Sequence, residues 1–188
     1  MSVSGVFQRI TAAFDQAGIG YMLSGSFAST YYGAARSTQD IDLVIEATPA
    51  QLRVFVESLP SEKYYVELEA ALEAHERQSL FNVIDFATGW KIDLIILKAR
   101  EFSQEEFGRR QRVALADISI FVASAEDVII SKLEWSKLGQ SNRHIEDAAG
   151  ILRLRSQSLD RAYLEKWITN LGLSEQWSNA QRAAGIAI

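Results

Sequence analysis

The sequence predicts an α/β (α+β) fold, in which a mixed β-sheet flanked by helices is followed by a small C-terminal helical bundle. Two observations predict it. Up to about residue 122, short apolar segments typical of β-strands alternate with segments of helical periodicity, and from Ser124 onward only helical periodicity remains. We therefore expect two domains, 1–123 and 124–188, in a chain of 188 residues that is 48% hydrophobic and can bury a core.

The N-terminal half begins with a helix, because apolar residues recur at helical spacing from Val3 to Ala17 and Gly18 ends the pattern. A turn at Ser24-Gly25-Ser26 leads into a helix of small residues that ends near Gly33. The other helices of this half are expected from Pro49 onward, at 69–77 and at 102–110. Strands are expected at 21–23, 40–46, 79–86, 90–97 and 113–122, the third and fourth forming an antiparallel hairpin around 87–89.

The C-terminal half opens on Ser124-Ala125-Glu126-Asp127, which resembles a capping box with Asp in place of the usual Glu or Gln. This motif marks the start of the helical bundle. Its helices are expected at 125–138, 142–154, 160–170 and 174–184.

The composition excludes several functional classes. The chain has no cysteine, which excludes disulfides, thiolate nucleophiles and Cys-ligated zinc. Its net charge of -5 argues against a broad electrostatic interaction with nucleic acid. No apolar run approaches the ~20 residues that span a bilayer, and the N-terminus lacks the pattern of a signal peptide. We expect a cytoplasmic protein without a membrane partner.

The most informative segment is Asp40-Ile41-Asp42, two carboxylates separated by one apolar residue. On a strand, both acids project from one face while Ile41 points into the core. Two carboxylates so placed repel each other unless one is protonated, or an Arg, a Lys or a divalent metal lies between them. The turn at 24–26 suits phosphate, and metal with phosphate indicates nucleotide chemistry.

A third acid, Asp93, lies near the start of the hydrophobic strand at 91–97 and shares a face with Ile95 and Leu97. If this strand lies beside the strand at 40–46, three carboxylates converge at one end of the sheet. Carboxylate oxygens suit one or two Mg²⁺ ions, and two ions about 3.5–4 Å apart can clamp a phosphoryl displacement.

Together, Gly25-Ser26, Asp40-Ile41-Asp42 and the distant Asp93 resemble the signature of the polymerase-β-like nucleotidyltransferase superfamily. The segment 36–43, Arg-Ser-Thr-Gln-Asp-Ile-Asp-Leu, is closest to bacterial uncharacterised and AbiEii-like nucleotidyltransferases. The helical segments Ser131-Lys132-Leu133 and 143–147 also resemble those families, so the resemblance spans roughly residues 20–155.

The resemblance implies a nucleotidyltransferase core that moves an NMP from an NTP to a hydroxyl acceptor and releases pyrophosphate, with Mg²⁺ as the cofactor. The catalytic and metal-binding roles fall on Asp40, Asp42 and Asp93, of which Asp93 is placed to activate the acceptor hydroxyl. The nucleotide-binding roles fall on Ser24, Gly25, Ser26, Arg36 and Lys132.

Simpler interpretations of several residues stay open. Gly25-Ser26 would serve equally as a tight turn with a Ser helix cap, Arg36 as an ion-pair partner of the acids, and Lys132 as a side chain whose stem covers apolar surface. For the whole chain, the alternatives are a catalytically silent nucleotide- or partner-binding module and a phosphohydrolase that uses the same acids on water.

The acceptor is not readable from the sequence. A small molecule such as an antibiotic, a protein side chain and an RNA end all remain open. AbiEii-like relatives act as toxins in toxin–antitoxin pairs, so the resemblance also leaves open an antitoxin-type protein partner.

Overall fold

The computed structural model describes residues 3–34, 37–38, 40–115, 118–139 and 142–186. Within them the helices are α1 (Val3–Ala17), α2 (Gly25–Tyr31), α3 (Pro49–Ser58), α4 (Leu68–Arg77), α5 (Glu101–Gly108), α6 (Ala125–Gly139), α7 (Asn142–Arg155), α8 (Arg161–Asn170) and α9 (Ser174–Ala184). The strands are β1 (Gly20–Leu23), β2 (Asp40–Glu46), β3 (Tyr64–Tyr65), β4 (Leu80–Asp85), β5 (Lys91–Ile96), β6 (Gln111–Leu115) and β7 (Ile118–Val122).

The chain divides into two compact units. The first comprises Met1–Ser24 and Thr38–Val122, and the second comprises Gly25–Ser37 and Ala123–Ile188. The C-terminal segment of the second unit begins at Ala123, next to the predicted boundary between 123 and 124. The segment around α2 belongs to the second unit, although the sequence analysis includes it in the first domain. The domain limits 1–123 and 124–188 stay a prediction.

The first unit is built on one mixed sheet with the strand order β3-β4-β5-β2-β1-β7-β6. The pairs β2–β5 and β1–β7 are parallel, and the other neighbouring pairs are antiparallel. Along β2 and β5, buried and partly exposed residues alternate, so one face of each strand enters the core. The α/β fold predicted from the sequence is confirmed, including the antiparallel hairpin of β4 and β5.

Two details of the sheet differ from the prediction. The strand expected at 113–122 is instead a hairpin of two strands, β6 and β7. The two-residue strand β3 was not predicted, and it pairs with β4 at the sheet edge. A strand this short carries no alternation long enough to recognise, and the run from Val113 to Val122 has no Gly or Pro to mark a turn.

The start of α3 shows how local sequence sets an element. Thr48 accepts a hydrogen bond from the backbone of Gln51, and the Gln51 side chain accepts one from the backbone of Thr48. Pro49 fills the first turn, where its missing N–H costs nothing. This reciprocal cap fixes the point at which the chain leaves β2.

The second unit contains α2 and the four helices α6 to α9, and α7 packs against both α6 and α9. A Cβ atom added to Gly150 on α7 would lie 3.0 Å from the Cβ of Ala34, which explains a glycine inside this helix. The cap predicted at the start of α6 is present, because the backbone N–H of Asp127 donates to Ser124 Oγ at 3.2 Å. Tyr163 on α8 donates its hydroxyl to Asp127 Oδ1 at 2.5 Å and so links α8 to this buried cap.

In the described part of the chain, every helix is too short or too polar to cross a membrane.

Candidate active site

Asp40 and Asp42 lie on the partly exposed face of β2, as the alternation predicts. Ile41 and Leu43, the residues that alternate with them, are at most 1% exposed. The buried residues fix the strand in the core, and the strand period of two then holds both carboxylates on the opposite face.

Asp93 is brought to the same face by the pairing of β2 with β5. In this parallel pair, Asp42 is the register partner of Asp93. The two acid-bearing strands are therefore neighbours, which is the condition under which the sequence places the three acids together. Asp40, Asp42 and Asp93 form what we call the acid cluster.

A lysine that the sequence analysis did not single out lies within the acid cluster. Lys91 is the register partner of Asp40 and precedes Asp93 by two residues on the same strand face. Its Nζ lies 3.1 Å from Asp93 Oδ2 and 3.5 Å from Asp40 Oδ1. Among the groups that relieve repulsion between neighbouring carboxylates, the described residues show this lysine at Asp93 and Asp40.

A further polar side chain at the cluster is that of Asn82 on β4, the register partner of Asp93. Its Nδ2 donates a hydrogen bond to Asp93 Oδ1. Asp93 thus has one oxygen on an amide and the other on an ammonium group, and its side chain is only 14% exposed. These two contacts fix the orientation of the carboxylate.

The electrostatic state of Lys91 follows from these contacts. Its hydrogen bond to Asp93 is the main cause that raises the pKa of the Lys91 ammonium group, and partial burial opposes this effect. Lys91 is therefore fully charged at neutral pH and neutralises part of the acid cluster.

Ser24 links the end of β1 to the acid-bearing strand. Its backbone N–H donates to the carbonyl oxygen of Asp42 at 2.9 Å. The structure therefore brings Ser24 together with the acid cluster, through backbone atoms.

Gly25 and Ser26 follow directly in the chain and begin α2 in the second unit. Gly25 has φ +61°, a left-handed backbone conformation that glycine adopts without strain. Ser26 is 6% exposed. Hydroxyl groups of Ser29 and Thr30 donate to the carbonyl oxygens of Gly25 and Ser26, at 2.9 and 3.0 Å. The left-handed conformation of Gly25 thus makes the turn at which α2, the helix of small residues, begins.

Lys132, predicted to contact the nucleotide, lies inside the second unit. Its Nζ is 2.8 Å from Asp147 Oδ2, and both side chains are 5% exposed. The structure thus assigns its ammonium group a buried ion-pair partner, and a role in nucleotide binding stays a prediction. Arg36, the other basic residue predicted to bind nucleotide, lies outside the described residues.

Two observations bear on whether the acid cluster can bind Mg²⁺. Carboxylate oxygens are the donors that this ion prefers, and the register of β2 and β5 places Asp42 opposite Asp93. Yet no group of three His, Cys, Asp or Glu side chains in the described residues is arranged as a ligand set. The donor chemistry fits a divalent ion, and Lys91 supplies the positive charge in the arrangement shown.

The mixed seven-stranded sheet with its flanking helices is an α/β nucleotidyltransferase fold. The chain is similar to the antibiotic-resistance factor ANT(2'')-Ia in solution, with a TM-score of 0.57, 16% identity and coverage of 97% of both chains. A crystal structure of ANT(2'')-Ia in complex with adenylyl-2''-tobramycin gives a TM-score of 0.57 at 16% identity, covering 92% of this chain and 97% of that one.

A third similar structure is an antigenic nucleotidyltransferase-like protein from Paracoccidioides brasiliensis. Its TM-score is 0.51 at 17% identity, with coverage of 95% of this chain and 92% of that one. No family model and no curated protein matches the sequence. At these identities the similarity establishes the fold, and closeness to the AbiEii-like families stays a prediction.

Proposed function

We propose that this protein is a nucleotidyltransferase that moves an NMP from an NTP to a hydroxyl group of its acceptor and releases pyrophosphate. The observation that carries the proposal is the pairing of Asp42 with Asp93 on neighbouring parallel strands, with Asp40 on the same face. The fold shared with ANT(2'')-Ia, a protein whose crystal structure holds adenylyl-2''-tobramycin, supports it.

In this proposal Asp40, Asp42 and Asp93 would hold Mg²⁺, which would supply charge neutralisation for the phosphates. Asp93 accepts the proton of the acceptor hydroxyl as that oxygen attacks the α-phosphorus. Asn82 donates a hydrogen bond to one Asp93 oxygen, which fixes the orientation of the carboxylate for this proton transfer. Positioning and electrostatics would account for most of the rate, as is general for phosphoryl chemistry.

The proposed nucleotide contacts are Ser24, Gly25, Ser26, Arg36 and Lys132. The motif around Gly25-Ser26 and the left-handed turn at Gly25 support the first three of these contacts, and Arg36 and Lys132 rest on the family resemblance alone. We further propose a small molecule as the acceptor class. The neighbour that holds adenylyl-2''-tobramycin and the net charge of -5 both favour it over a nucleic-acid acceptor.

The test is nucleotidyl transfer from α-³²P-labelled NTPs with Mg²⁺, offered a panel of aminoglycosides, RNA and the protein itself. Wild type should label one acceptor class, and Asp42→Asn should abolish the label while melting within about 2 °C of wild type. Asp15→Asn, which removes an exposed carboxylate on α1, is the matched control and should keep full activity.

The other outcomes are equally informative. Release of NMP or phosphate without any labelled acceptor would assign the acids to hydrolysis. Binding of NTP without turnover by wild type would favour a silent binding module. Full transfer activity in Asp42→Asn would remove the acid cluster from the mechanism.

A further inference from the structure

The acid cluster contains a cation of its own, and its contacts decide how a divalent ion can bind. Lys91 Nζ contacts one oxygen each of Asp93 and Asp40, at 3.1 and 3.5 Å. These are the same side chains that the proposed function assigns to the metal. An ammonium group on a carboxylate oxygen repels a divalent cation that approaches the same carboxylate, so the two cations compete.

We propose that Lys91 is a positioning residue, a built-in counter-cation that a divalent ion displaces when it binds the acid cluster. The inference rests on the proposed function in one respect, since it takes Asp40, Asp42 and Asp93 as the divalent site. It adds that metal binding is a competition between the ion and the ammonium group of Lys91.

The exposure of the side chains makes the displacement feasible. The Lys91 side chain is 42% exposed and that of Asp40 is 50% exposed. Ion pairs at this exposure are weak, because water solvates both partners when they separate. The Lys91 ammonium group can therefore leave the acids by rotating its flexible stem into solvent.

The charge balance sets the direction of the effect. Removing the Lys91 ammonium group makes the surroundings of Asp40 and Asp93 more negative by one charge. A stronger local negative charge attracts a divalent cation more strongly, and the competing cation is removed at the same time. Lys91 thus weakens metal binding in the nucleotide-free protein.

The inference also assigns Lys91 a function in that state. Without the Lys91 ammonium group, Asp93 and Asp40 would each lose the ion-pair contact described here, while Asp42 and Asp93 would still face each other as register partners. The ammonium group, together with Asn82, holds the Asp93 carboxylate in one orientation before any ligand arrives. The acids are then ready for the ion without being bound to it.

The test is titration of Mn²⁺ into the nucleotide-free protein, followed by isothermal calorimetry and by the loss of the free Mn²⁺ electron paramagnetic resonance signal. The variants are Lys91→Met, which removes the charge and keeps the stem, and Lys91→Arg, which keeps the charge. Lys98→Met is the matched control, since Lys98 is exposed and lies two residues beyond the end of β5.

We expect Lys91→Met to bind Mn²⁺ about tenfold more tightly than wild type, or better, because a like charge is removed within 4 Å of two ligands. Lys91→Arg and Lys98→Met should bind as wild type does. Adding Asp42→Asn to Lys91→Met should abolish the gain, which locates the measured site at the acid cluster.

Three results would overturn the inference. They are equal or weaker Mn²⁺ binding by Lys91→Met, a gain that survives the addition of Asp42→Asn, and no binding by either wild type or Lys91→Met. Circular dichroism and melting temperature establish that each variant folds. Lys91→Gln replaces Lys91→Met if the latter does not fold.

The result is separable from the fate of the proposed function. A gain in Mn²⁺ affinity stands even if no acceptor is ever labelled, because the titration involves no nucleotide and no turnover. Conversely, labelled acceptor from wild type together with unchanged Mn²⁺ affinity in Lys91→Met would retain the enzyme and remove the role of Lys91.

Discussion

Lys132 on α6 and Asp147 on α7 form an ion pair inside the second unit, with Nζ 2.8 Å from Oδ2 and both side chains 5% exposed. Since removal of one partner leaves the other charge buried, we expect Asp147→Ala to lower the free energy of unfolding by about 3–5 kcal/mol. Urea denaturation measures this. Glu146→Gln, at an exposed neighbouring acid, is the control and should change stability by less than about 1 kcal/mol.

Replacing the whole ion pair tests both the packing and the predicted nucleotide contact. Lys132→Met/Asp147→Leu should recover most of the stability lost in Asp147→Ala, because the Lys132 ammonium group is then not buried without its carboxylate. In this folded variant, NTP affinity reports on Lys132 directly. Affinity equal to that of wild type would remove Lys132 from the nucleotide-binding residues, and a loss of about tenfold or more would support its predicted role.

Asp93→Asn should separate proton transfer from nucleotide binding. We expect kcat to fall by about 10²–10⁴-fold, the usual contribution of a general base, with a smaller change in KM for the NTP. Steady-state kinetics with the labelled acceptor measure both values. If kcat stays within about threefold of wild type, another group accepts the hydroxyl proton.

Gly25→Ala should destabilise the protein, because φ +61° brings a Cβ into conflict with the following carbonyl oxygen. The expected loss is about 1–2 kcal/mol, and Gly25→Asn should lose less, since Asn tolerates this conformation. Thermal or urea unfolding measures both. Gly108→Ala is the matched control: an added Cβ there meets open space, and its φ lies outside the left-handed range. Similar stabilities for both alanine variants would contradict the argument.

The stability contributed by Tyr32 should depend on pH. Burial raises the pKa of its hydroxyl, which donates to the carbonyl oxygen of Ala123 at 2.8 Å. A pKa raised by folding means that the contribution is complete below the unfolded pKa near 10 and is lost as pH rises above it. Tyr32→Phe should therefore be about 1 kcal/mol less stable than wild type at pH 8, and the gap should shrink towards pH 11. A gap that stays constant over this range would contradict the assignment.

Much of the fold was predictable because its signals are local. The alternation in Asp40–Glu46 and Lys91–Ile96 predicts both strands, and the apolar spacing from Val3 to Ala17 predicts α1. The convergence of the three acids was inferred on the condition that β2 and β5 are neighbours in the sheet. The observed register of Asp42 with Asp93 meets that condition.

Lys91 was missed although its signal was present. It lies two residues before Asp93, so the rule that places Asp40 beside Asp42 also places Lys91 beside Asp93. Its pairing with Asp40 depends on the register between β2 and β5, and a local sequence pattern does not predict that register. The same is true of Lys132 and Asp147, which are 15 residues apart in sequence and meet only when two helices pack.

Asn82 was missed because a hairpin register depends on the turn. A hairpin centred on Thr88 would place Val83 opposite Asp93, whereas the structure pairs Asn82 with Asp93. Asp85 sets this register. Its side chain accepts a hydrogen bond from the backbone of Ala87, and its carbonyl oxygen accepts one from Gly89, which has φ +73°. A shift of one residue would have turned the Asn82 side chain to the opposite face.

The second unit draws α2 from the first third of the chain and its other helices from the last third. During synthesis, α2 leaves the ribosome long before α6 and α7, the helices against which it packs. At about 5–20 residues per second, the interval is roughly 5–20 s. During this interval α2, which is too short to be a stable helix on its own, lacks the helices α6 and α7 against which it packs. A nascent chain that stops before α7 therefore cannot complete the second unit.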